Sequence, residues 1–415
     1  MSLYRYLPVP SDRMGIIWAL LTVPDAIILE YGPAGTTHYS VSAYGAMGLE
    51  TNQKIFTTHL SQDDVIMGDV SRLEQAIIEI DQNYHPKILF VISSAVISVI
   101  GTDIIGVCSY MQQEVSARLI PVDTGGFKGD YSLGLRTGYR LITASVCTEA
   151  VEKQAGSYNI LGASPAHYRI KSDLWEIKDL MKRAFDFHCH TVLGIGCENL
   201  QQLESIGSAQ INLVLEAEAI PAAEYLYETY GTPYVYGVPY GYHGTKKWLH
   251  QIEDILSKSI APDVTNELNK KIMQASGYKM YADIYAQKEH PPQAVVIGTY
   301  DQLVGFSKAM QEINLPVALQ ICTHSLAGAE TDGLITDHIL HQSDEKQQIH
   351  LLKDTDYSLV LGDDISLYLC GAHCEKVTVS SPLIQHKQLA EHLPFMGIRG
   401  MDYLLEFVER YFGSL

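Results

Sequence analysis

The sequence is short of basic residues. Its 415 positions carry 29 Lys and Arg against 48 Asp and Glu, which gives a formal net charge of −19 with His neutral. A nucleic-acid-binding protein needs an excess of positive charge to neutralise phosphates, so this balance argues against that class. It suits a soluble protein, or one that docks a partner with a basic face.

Long apolar runs are also missing. The longest early run, residues 16–23, lies between Arg13 and Asp25 and is far too short to span a bilayer. The seven cysteines are odd in number and widely scattered, and no secretory leader is recognisable. Because disulfide frameworks belong to oxidising compartments, we expect a reduced, cytoplasmic protein that binds neither a membrane nor nucleic acid.

Several catalytic and metal-binding motifs are absent as well. The sequence has no P-loop, no HExxH and no CxxC, and no GxGxxG opens a helix after the first strand. Cys370 and Cys374 are four positions apart, so on a helix their thiols would share a face and could hold a metal. The alternative is that Cys370 is a core residue. Cys189 and His190 lie in a predicted strand and point to opposite faces, so they cannot chelate one ion together.

The other cysteines differ in their surroundings. Cys108 and Cys147 fall on the apolar faces of predicted helices, which favours burial in the core. Cys197 follows Gly-Ile-Gly at a strand end, where the chain turns toward the expected ligand cleft. We therefore take Cys197 as a candidate cofactor-binding residue, with core packing as the alternative.

The sequence does contain a regular alternation of strands and helices. Near-continuous apolar runs at 25–32, 54–60, 87–96 and 117–123 predict strands buried on both faces, with helical segments between them. The same rhythm restarts near residue 158 and again near residue 293. This alternation predicts an α/β protein of three Rossmann-like domains with parallel sheets flanked by helices, and a ligand cleft between them.

The expected domain boundaries follow from those restarts. We place the first domain at residues 1–155, the second at 156–290 and the third at 291–396. The C-terminal helix, 397–415, is expected to pack back on the first domain. The segment SDLWE predicts a helix that begins with Ser172 as its cap.

Ligands of parallel α/β folds bind beyond the carboxyl ends of the strands. The predicted strand ends carry these segments: YGPAGTTHYS from residue 31, Ser93-Ser94-Ala95, PVDTGGFKG from residue 121, Gly194-Ile-Gly-Cys197, Leu215-Glu216 and Cys322-Thr-His324. We therefore look for candidate site residues in these strand-end segments.

These segments, in their order, resemble the nitrogenase component 1 family. That family includes the large nitrogenase subunits, their cofactor-assembly scaffolds and the subunits of dark-operative protochlorophyllide reductase. YGPAGTTHYS resembles the family's His-Gly-Pro-x-Gly-Cys turn, and PVDTGGFKG resembles its Gly-Phe-x-Gly loop. PFMGIRGMDYLLEFV resembles its closing Pro-[YF]-x-Gly helix. The likeness is collinear over nearly the whole chain, and no single motif carries it alone.

The resemblance implies an iron–sulfur cluster at a subunit interface, but its usual Cys ligands are missing here. The position after Gly-Pro-x-Gly is Thr36, the second ligand segment is Ser93-Ser94-Ala95, and residues 1–30 contain no Cys. Thiolates are what hold such clusters, and a hydroxyl or a methyl does not replace them. We therefore expect no interface cluster unless a partner subunit supplies the ligands.

In that case Thr36, Thr37 and His38 are expected to cap free backbone amides at the start of the helix, with Ser93 and Ser94 completing a small polar network. The space of the lost cluster would then be filled by side chains or water.

The resemblance also implies a cofactor pocket in the cleft. The family's cofactor-ligating Cys falls at Leu215 or Glu216 here, and its cofactor His falls near His386, for which a solvated residue at a helix start is the alternative. Four residues at or before the helix that follows GGFKG are expected to line the same cleft: Lys128, Asp130, Tyr131 and Arg136. Lys128 and Arg136 would make the pocket locally positive and suited to an anionic ligand, unless both are surface charges.

Two functions follow from the resemblance. The first is an oxidoreductase subunit that binds a cofactor or substrate in the cleft and accepts electrons from an ATP-dependent iron-protein reductase. The second is a non-catalytic scaffold or carrier for a metal cofactor, a metal chelate or a tetrapyrrole. For either function we expect a dimer, formed with a homologous subunit or with a second copy of this chain.

Overall fold

The computed structural model describes residues 9–35, 37, 41, 44–45, 47, 51, 54–68, 70–147, 152–285, 287, 291–325, 339–341, 345–354, 357–371, 374–381 and 392–413. The strands are β1 Ala26–Tyr31, β2 Ile55–Thr57, β3 Ile88–Ser93, β4 Arg118–Val122, β5 Gln154–Ala163, β6 His188–Gly194, β7 Ala209–Val214, β8 Tyr234–Tyr236, β9 Ala294–Gly298, β10 Val317–Cys322, β11 Ile339–His341, β12 Leu359–Gly362 and β13 Glu375–Thr378.

The helices among these residues are α1 Asp12–Leu20, α2 Gln62–Met67, α3 Ser71–Tyr84, α4 Ala95–Ile100, α5 Ile104–Met111, α6 Tyr131–Ser145, α7 Ile170–Phe185, α8 Leu200–Glu204, α9 Ile220–Tyr230, α10 Tyr242–Leu256, α11 Pro262–Tyr285, α12 Tyr300–Gln311, α13 Glu345–Asp354, α14 Asp364–Leu369 and α15 Gly397–Gly413. Short 3₁₀ turns cover Ile206–Ser208 and Ala217–Ala219. In the part of the chain just described, no helix combines the length and apolarity that crossing a membrane requires.

The strands form three sheets, and every pairing within them is parallel. The first sheet has the order β2-β1-β3-β4, the second β6-β5-β7-β8, and the third β11-β10-β9-β12-β13. Every residue of β1, β3 and β9 is buried, as expected for strands covered by helices on both faces. The predicted α/β fold with three parallel sheets is confirmed, whereas the domain boundaries within the connecting segments stay predictions.

Close contact between α1 and α6 holds the start of α6 in place. A Cβ atom at Gly134 would lie 1.9 Å from the carbonyl oxygen of Asp12, and one at Gly15 would lie 2.1 Å from that of Tyr131. Only glycine fits at these two positions because backbone lies directly opposite each of them. The N-terminus of α6 is thereby fixed beside the second and third sheets.

The C-terminal helix packs on the second domain, which corrects the expectation that it packs on the first. Asp173 of α7 accepts hydrogen bonds from the backbone N–H groups of Phe395 and Met396, at 2.7 and 2.9 Å. Glu176, also on α7, pairs with the Arg399 side chain at 2.6 Å. Carboxylates favour a helix N-terminus because its first N–H groups lack partners within the helix. The two acids of α7 therefore hold the start of α15.

The predicted cap of α7 was also wrong. The helix begins at Ile170, so Ser172 lies inside the first turn and is fully buried. The polar residue that follows it, Asp173, binds another helix. From the local sequence, a short polar side chain that caps its own helix cannot be distinguished from one that binds the start of another helix.

Contacts between the three sheets bring their carboxyl ends together. The Tyr131 hydroxyl at the start of α6 lies 2.6 Å from the Thr323 hydroxyl after β10. The N–H of Tyr168, after β5, donates to the carbonyl oxygen of Val379, after β13, at 3.3 Å. We call the region where these strand ends meet the junction. It is where the family resemblance leads us to expect the ligand cleft.

Candidate functional site

The junction is lined by polar residues that follow the carboxyl ends of five strands or lie on α6. They are Ser132 and Tyr139 on α6, Ser164 and His167 after β5, Glu216 and Glu218 after β7, Tyr236 at the end of β8, Thr299 and Asp301 after β9, and His324 after β10. Each carboxylate and imidazole of this set is nine-tenths or more buried. We call Glu216, Glu218, Asp301 and His167 the junction group.

Glu218 connects the first domain with the third. Its Oε1 accepts a hydrogen bond from the Ser132 hydroxyl at 2.5 Å and lies 3.8 Å from Nε2 of His324. Its Oε2 is buried and has no hydrogen-bond partner. Glu218 therefore has one oxygen fixed by protein and one oxygen free to bind something else.

Asp301 lies at the first turn of α12 and is held by two donors. Its Oδ2 accepts the N–H of Ala217 at 2.8 Å, and its Oδ1 accepts the Tyr236 hydroxyl at 2.7 Å. Burial raises the pKa of Asp301 to about 7, and the charge of Glu218 adds to this rise while the two hydrogen bonds oppose it. Asp301 therefore changes its protonation state near neutral pH.

Glu216 is the most strongly perturbed acid of the group. Burial raises its pKa well above the usual value, and the charges of Glu218 and Asp301 raise it further. The nearby hydroxyl groups of Tyr139 and Ser164 oppose the rise in pKa but do not cancel it. The direction of this shift favours the protonated form of Glu216, because three carboxyl groups confined to one buried region do not all ionise together.

His167 lies against Glu216 and completes the group. Its Nε2 is 3.8 Å from Oε2 of Glu216, and neither ring nitrogen has a hydrogen-bond partner. Burial lowers the pKa of His167 to about 4, so the imidazole is neutral at neutral pH. Buried polar atoms are normally paired, and an unpaired imidazole points to a ligand or ordered water beside it.

His324 is fully engaged by protein. Its Nε2 accepts the N–H of Tyr300 at 3.0 Å, and its Nδ1 donates to the carbonyl oxygen of Ser325 at 2.8 Å. These two bonds fix the orientation of the ring, with Nδ1 toward the carbonyl oxygen of Ser325 and Nε2 toward the N–H of Tyr300. His324 shapes the junction and leaves binding to its neighbours.

Three of the residues predicted from the sequence lie at the junction, among them Tyr131, whose hydroxyl lies 2.6 Å from that of Thr323. Glu216 belongs to the junction group. Asp130 caps α6 by accepting the N–H of Ser132 at 3.1 Å, and it also accepts the N–H of Ser325, beyond β10, at 2.5 Å. Asp130 therefore ties the first domain to the third at the edge of the junction.

Other predicted residues lie elsewhere. Lys128 is exposed and Arg136 is half-buried on α6, while the junction group consists of acids and a neutral imidazole. The expectation of a locally positive pocket is therefore not supported around Glu216. Cys197 lies half-buried after β6, where burial raises its pKa to about 11. Its neighbours there, Thr191 and Asn199, are not part of the junction group.

Three predicted site residues, Thr36, His38 and His386, lie outside the described residues, and their roles stay predictions. The residues that the sequence reasoning missed are Glu218, Asp301, His167 and His324. All four lie just beyond a strand end, which was the available indication. They follow strands of the second and third sheets, and only the meeting of those two sheets shows that they belong together.

The edge of the first sheet does not fit a thiolate-held cluster. Ser94 is buried and caps α4, accepting the N–H of Ile97 at 3.4 Å. The Ser93 hydroxyl lies 2.8 Å from that of Ser98 and donates to Asp123 at 3.2 Å. Ser93 thus belongs to a polar network with Ser98 and Asp123, whereas the capping expected of Thr37 is not seen, because its buried hydroxyl has no hydrogen-bond partner.

A buried ion pair occupies the same edge. Arg13 lies 2.6 Å from Glu30 and also donates to the carbonyl oxygen of Ser93 at 3.1 Å, and both charged side chains are almost fully buried. Within the described ranges, no three His, Cys, Asp or Glu side chains are grouped so that they could hold a metal ion. Among the described residues, this edge is thus built for hydrogen bonding and offers no thiolate to an iron–sulfur cluster.

The three parallel sheets and the buried junction between them are those of a component 1 type α/β protein. Residues 11–411 match the family described as Nitrogenase component 1 type Oxidoreductase, and the chain belongs to that family.

The relatives it matches include proteins of cofactor biosynthesis. The nitrogenase iron-molybdenum cofactor biosynthesis protein NifE of Clostridium pasteurianum is 29% identical over 238 residues, covering 56% of this chain and 51% of that protein. The NifE of a Nostoc species is 24% identical over 420 residues, covering 93% of this chain and 79% of that protein. The alignments thus span from about half to about four-fifths of these relatives.

A catalytic subunit and a solved structure are also similar. The nitrogenase molybdenum-iron protein alpha chain of Clostridium pasteurianum is 25% identical over 226 residues, covering 51% of this chain and 41% of that protein. The solved structure of nitrogenase Cp1 at pH 6.5 superposes with a TM-score of 0.78 at 16% identity, covering 100% of this chain and 95% of that chain. This superposition supports the fold.

Proposed function

We propose that the protein is a scaffold or carrier that binds a metal cofactor, a metal chelate or a tetrapyrrole at the junction of its three domains. The observation that carries the proposal is the buried imidazole of His167, which has two unpartnered nitrogens beside Glu216. The free Oε2 of Glu218 adds an acceptor to the same region. The names of the NifE relatives, which describe cofactor biosynthesis, support this function.

The junction group suits hydrogen bonding to a ligand. A protonated Glu216 donates, Glu218 accepts, and a neutral His167 does either according to its tautomer. Protein groups that bind a ligand from buried positions lose little conformational freedom on binding, which favours affinity. The ligand would therefore present polar atoms to this group and would bring its metal already coordinated.

Native mass spectrometry of protein purified without oxygen tests this function. We expect the wild-type chain to carry additional, non-covalent mass that is retained under gentle conditions. His167→Phe should lower the bound fraction at least tenfold, because it removes both ring nitrogens and keeps a planar side chain. Glu312→Gln is the matched control, since Glu312 is a partly buried acid whose carboxylate caps α10 away from the junction. Wild-type protein that carries no extra mass would overturn the proposal.

The second candidate is an oxidoreductase subunit that accepts electrons from an ATP-dependent iron-protein partner. The observation that favours it is Asp301, whose pKa of about 7 suits a group that delivers protons near neutral pH. Iron analysis separates the two candidates. About four irons per chain with matching sulfide, the content of one Cys-held cluster, favours the oxidoreductase. Iron-poor protein that still binds a ligand favours the scaffold.

We further propose that the protein pairs with a homologous subunit or with itself. Large apolar side chains are exposed near the carboxyl edge of the first sheet, including Val99 on α4 at 75% and Phe127 at 69% exposure. Exposed apolar patches of this kind are common at protein interfaces. Light scattering at micromolar concentration should give a dimer, and a strict monomer that captures no partner would contradict the pairing. The cytoplasmic location stays a prediction, which the seven free thiols support.

A further inference from the structure

Three acids at the junction surround one peptide unit. Ala217 lies between Glu216 and Glu218 in the chain, and its N–H donates to Asp301 at 2.8 Å. All three acid side chains are more than nine-tenths buried. Carboxyl groups in such a confined region repel one another when they ionise, because little water is present to screen their charges. Added positive charge would therefore be stabilised at the junction.

Few positive charges offset these acids. Among the described residues, no Lys or Arg forms an ion pair with any of the three. The two imidazoles come no closer than 3.8 Å, His167 to Glu216 and His324 to Glu218. Burial lowers the pKa of His167 to about 4, so its ring adds no charge. Burial also lowers the pKa of His324, but Cys322 and Glu218 raise it to about 10, and this ring supplies one positive charge at most.

Two carboxyl oxygens of the acids also lack donors. Oε1 of Glu218 accepts the Ser132 hydroxyl at 2.5 Å, whereas its Oε2 is buried without a hydrogen-bond partner. Oε1 of Glu216 is likewise buried and unpartnered. Buried polar atoms are normally paired, so each of these oxygens points to something bound beside it. A ligand with N–H or O–H donors would satisfy both, and a positive charge on that ligand would strengthen the hydrogen bonds.

We propose that the junction binds a cation that presents N–H or O–H donors, and that Glu218 makes the site selective for positive charge. This inference rests on the proposed function and narrows its ligand to a cationic class. It reverses the expectation of an anionic ligand, which was drawn from Lys128 and Arg136. An anion would bring its charge next to three carboxyl groups, and the resulting repulsion would weaken its binding.

The cation contacts the acids through its own donors. Within the described residues, no three His, Cys, Asp or Glu side chains are grouped so that they could hold a bare metal ion. Both oxygens of Asp301 are already occupied, one by the N–H of Ala217 and the other by the Tyr236 hydroxyl at 2.7 Å. Hard metal ions need more oxygen ligands than Glu216 and Glu218 can supply. The ligand must therefore arrive with donors of its own, as an amine complex or a hydrated ion does.

Two cobalt complexes of opposite charge serve as the probes. Hexaamminecobalt(III) is a cation covered with N–H donors, and hexacyanocobaltate(III) is an anion of the same octahedral shape without donors. Both keep their own ligands, so neither can coordinate to the protein directly. The full-length protein is freed of retained ligand by dialysis in high salt and then equilibrated with each complex at neutral pH. Cobalt analysis should show one tightly bound hexaammine complex per chain and no bound hexacyanocobaltate.

Two variants separate the junction from the acidic surface of the protein. Glu218→Gln removes one acid and keeps an oxygen that can accept the Ser132 hydroxyl. It should weaken the binding of hexaamminecobalt(III) at least tenfold. Asp186→Asn is the matched control, because it also removes one acid, but from a fully exposed position beside Lys182. It should bind the cation as the wild type does, since attraction to the surface alone would change equally in both variants.

Three results would overturn the proposal. They are wild-type protein that binds hexacyanocobaltate in preference to the hexaammine complex, wild-type protein that binds neither complex, and Glu218→Gln that binds the cation as tightly as the wild type. The first two use the wild-type chain, so they do not depend on how well a variant folds. The proposed function has its own test. Protein that retains mass in the native mass spectrum but prefers the anion would refute the cationic ligand class and leave the proposed function standing.

Protein that retains no mass would refute the proposed function itself, whichever complex it binds.

Discussion

Replacing Asp301 by Asn should change how stability depends on pH. In the folded protein burial raises the pKa of Asp301 from the model-compound value of 3.8 to about 7. A raised folded pKa means that the native state binds the proton more tightly than the unfolded chain. The stabilisation from this proton is complete below pH 3.8, falls as the pH rises, and is lost above about pH 7. Asn cannot titrate, so the variant lacks this dependence.

The magnitude follows from the two pKa values. Their difference of about three corresponds to about 4 kcal/mol over the whole window, or roughly 1.4 kcal/mol for each pH unit. The amide oxygen of Asn can still accept the N–H of Ala217, and the Tyr236 hydroxyl can rotate to accept from the amide. We therefore expect a constant loss of about 1 kcal/mol from altered hydrogen bonding, in addition to the pH-dependent part.

The assay is urea denaturation of both proteins at several pH values between 5 and 8. The free energy of unfolding of the wild type, relative to Asp301→Asn, should fall steadily up to about pH 7 and then level off. Asp186→Asn is the control, because Asp186 is fully exposed and the hydrogen bond from Lys182 lowers its pKa. Its curve should stay parallel to that of the wild type over this range. Parallel curves for Asp301→Asn as well would refute the assignment of a raised pKa.

Two further predictions concern packing and access. Gly134→Ala should destabilise the protein by about 3 kcal/mol in thermal or urea unfolding, because the new methyl group meets the backbone of α1. Gly244→Ala is the control. A methyl group at Gly244 has no neighbour within 4 Å, so this change should be neutral or slightly stabilising. A Gly134→Ala variant as stable as the wild type would show that α1 and α6 can separate. Native alkylation should label half-buried Cys197 before the buried Cys108 and Cys147, and the reverse order would contradict their placement.

The strands could be predicted because burial on both faces leaves a clear record in the sequence. The runs 25–32 and 87–96 contain β1 and β3, and the three cycles of the strand–helix rhythm correspond to the three sheets. Such local patterns determine which segments are strands. They do not determine which distant element a helix packs on, which is why the partner of α15 was predicted wrongly.

The same limit applies to the junction, because local sequence patterns do not show which distant residues meet there. Glu216 could be predicted because it follows a strand directly and because the family resemblance points to that position. Asp301 could not be grouped with it, since Asp301 follows a strand of the third sheet and reaches the segment that carries Glu216 and Glu218 through the N–H of Ala217. Electrostatic coupling among buried acids depends on distances that sequence spacing does not give.

At the edge of the first sheet, the absence of cluster-binding cysteines could be recognised from the sequence alone. From the missing cysteines we expect side chains or water in the place of a cluster, and the described part of this edge carries a polar network of Ser93, Ser98 and Asp123. The buried pair of Arg13 with Glu30 could not be predicted, because Arg13 lies on α1, ahead of the first strand. The structure thus adds a guanidinium to an edge for which only hydroxyl groups were expected.

The most direct test of the central claim is a crystal structure of the protein purified without oxygen. The account predicts non-protein electron density at the junction, within hydrogen-bonding distance of a ring nitrogen of His167 and of Oε2 of Glu218. It also predicts no metal cluster at the edge of the first sheet beside Ser93 and Ser94. Density for an iron–sulfur cluster at that edge, with a junction that holds only ordered water, would contradict the account.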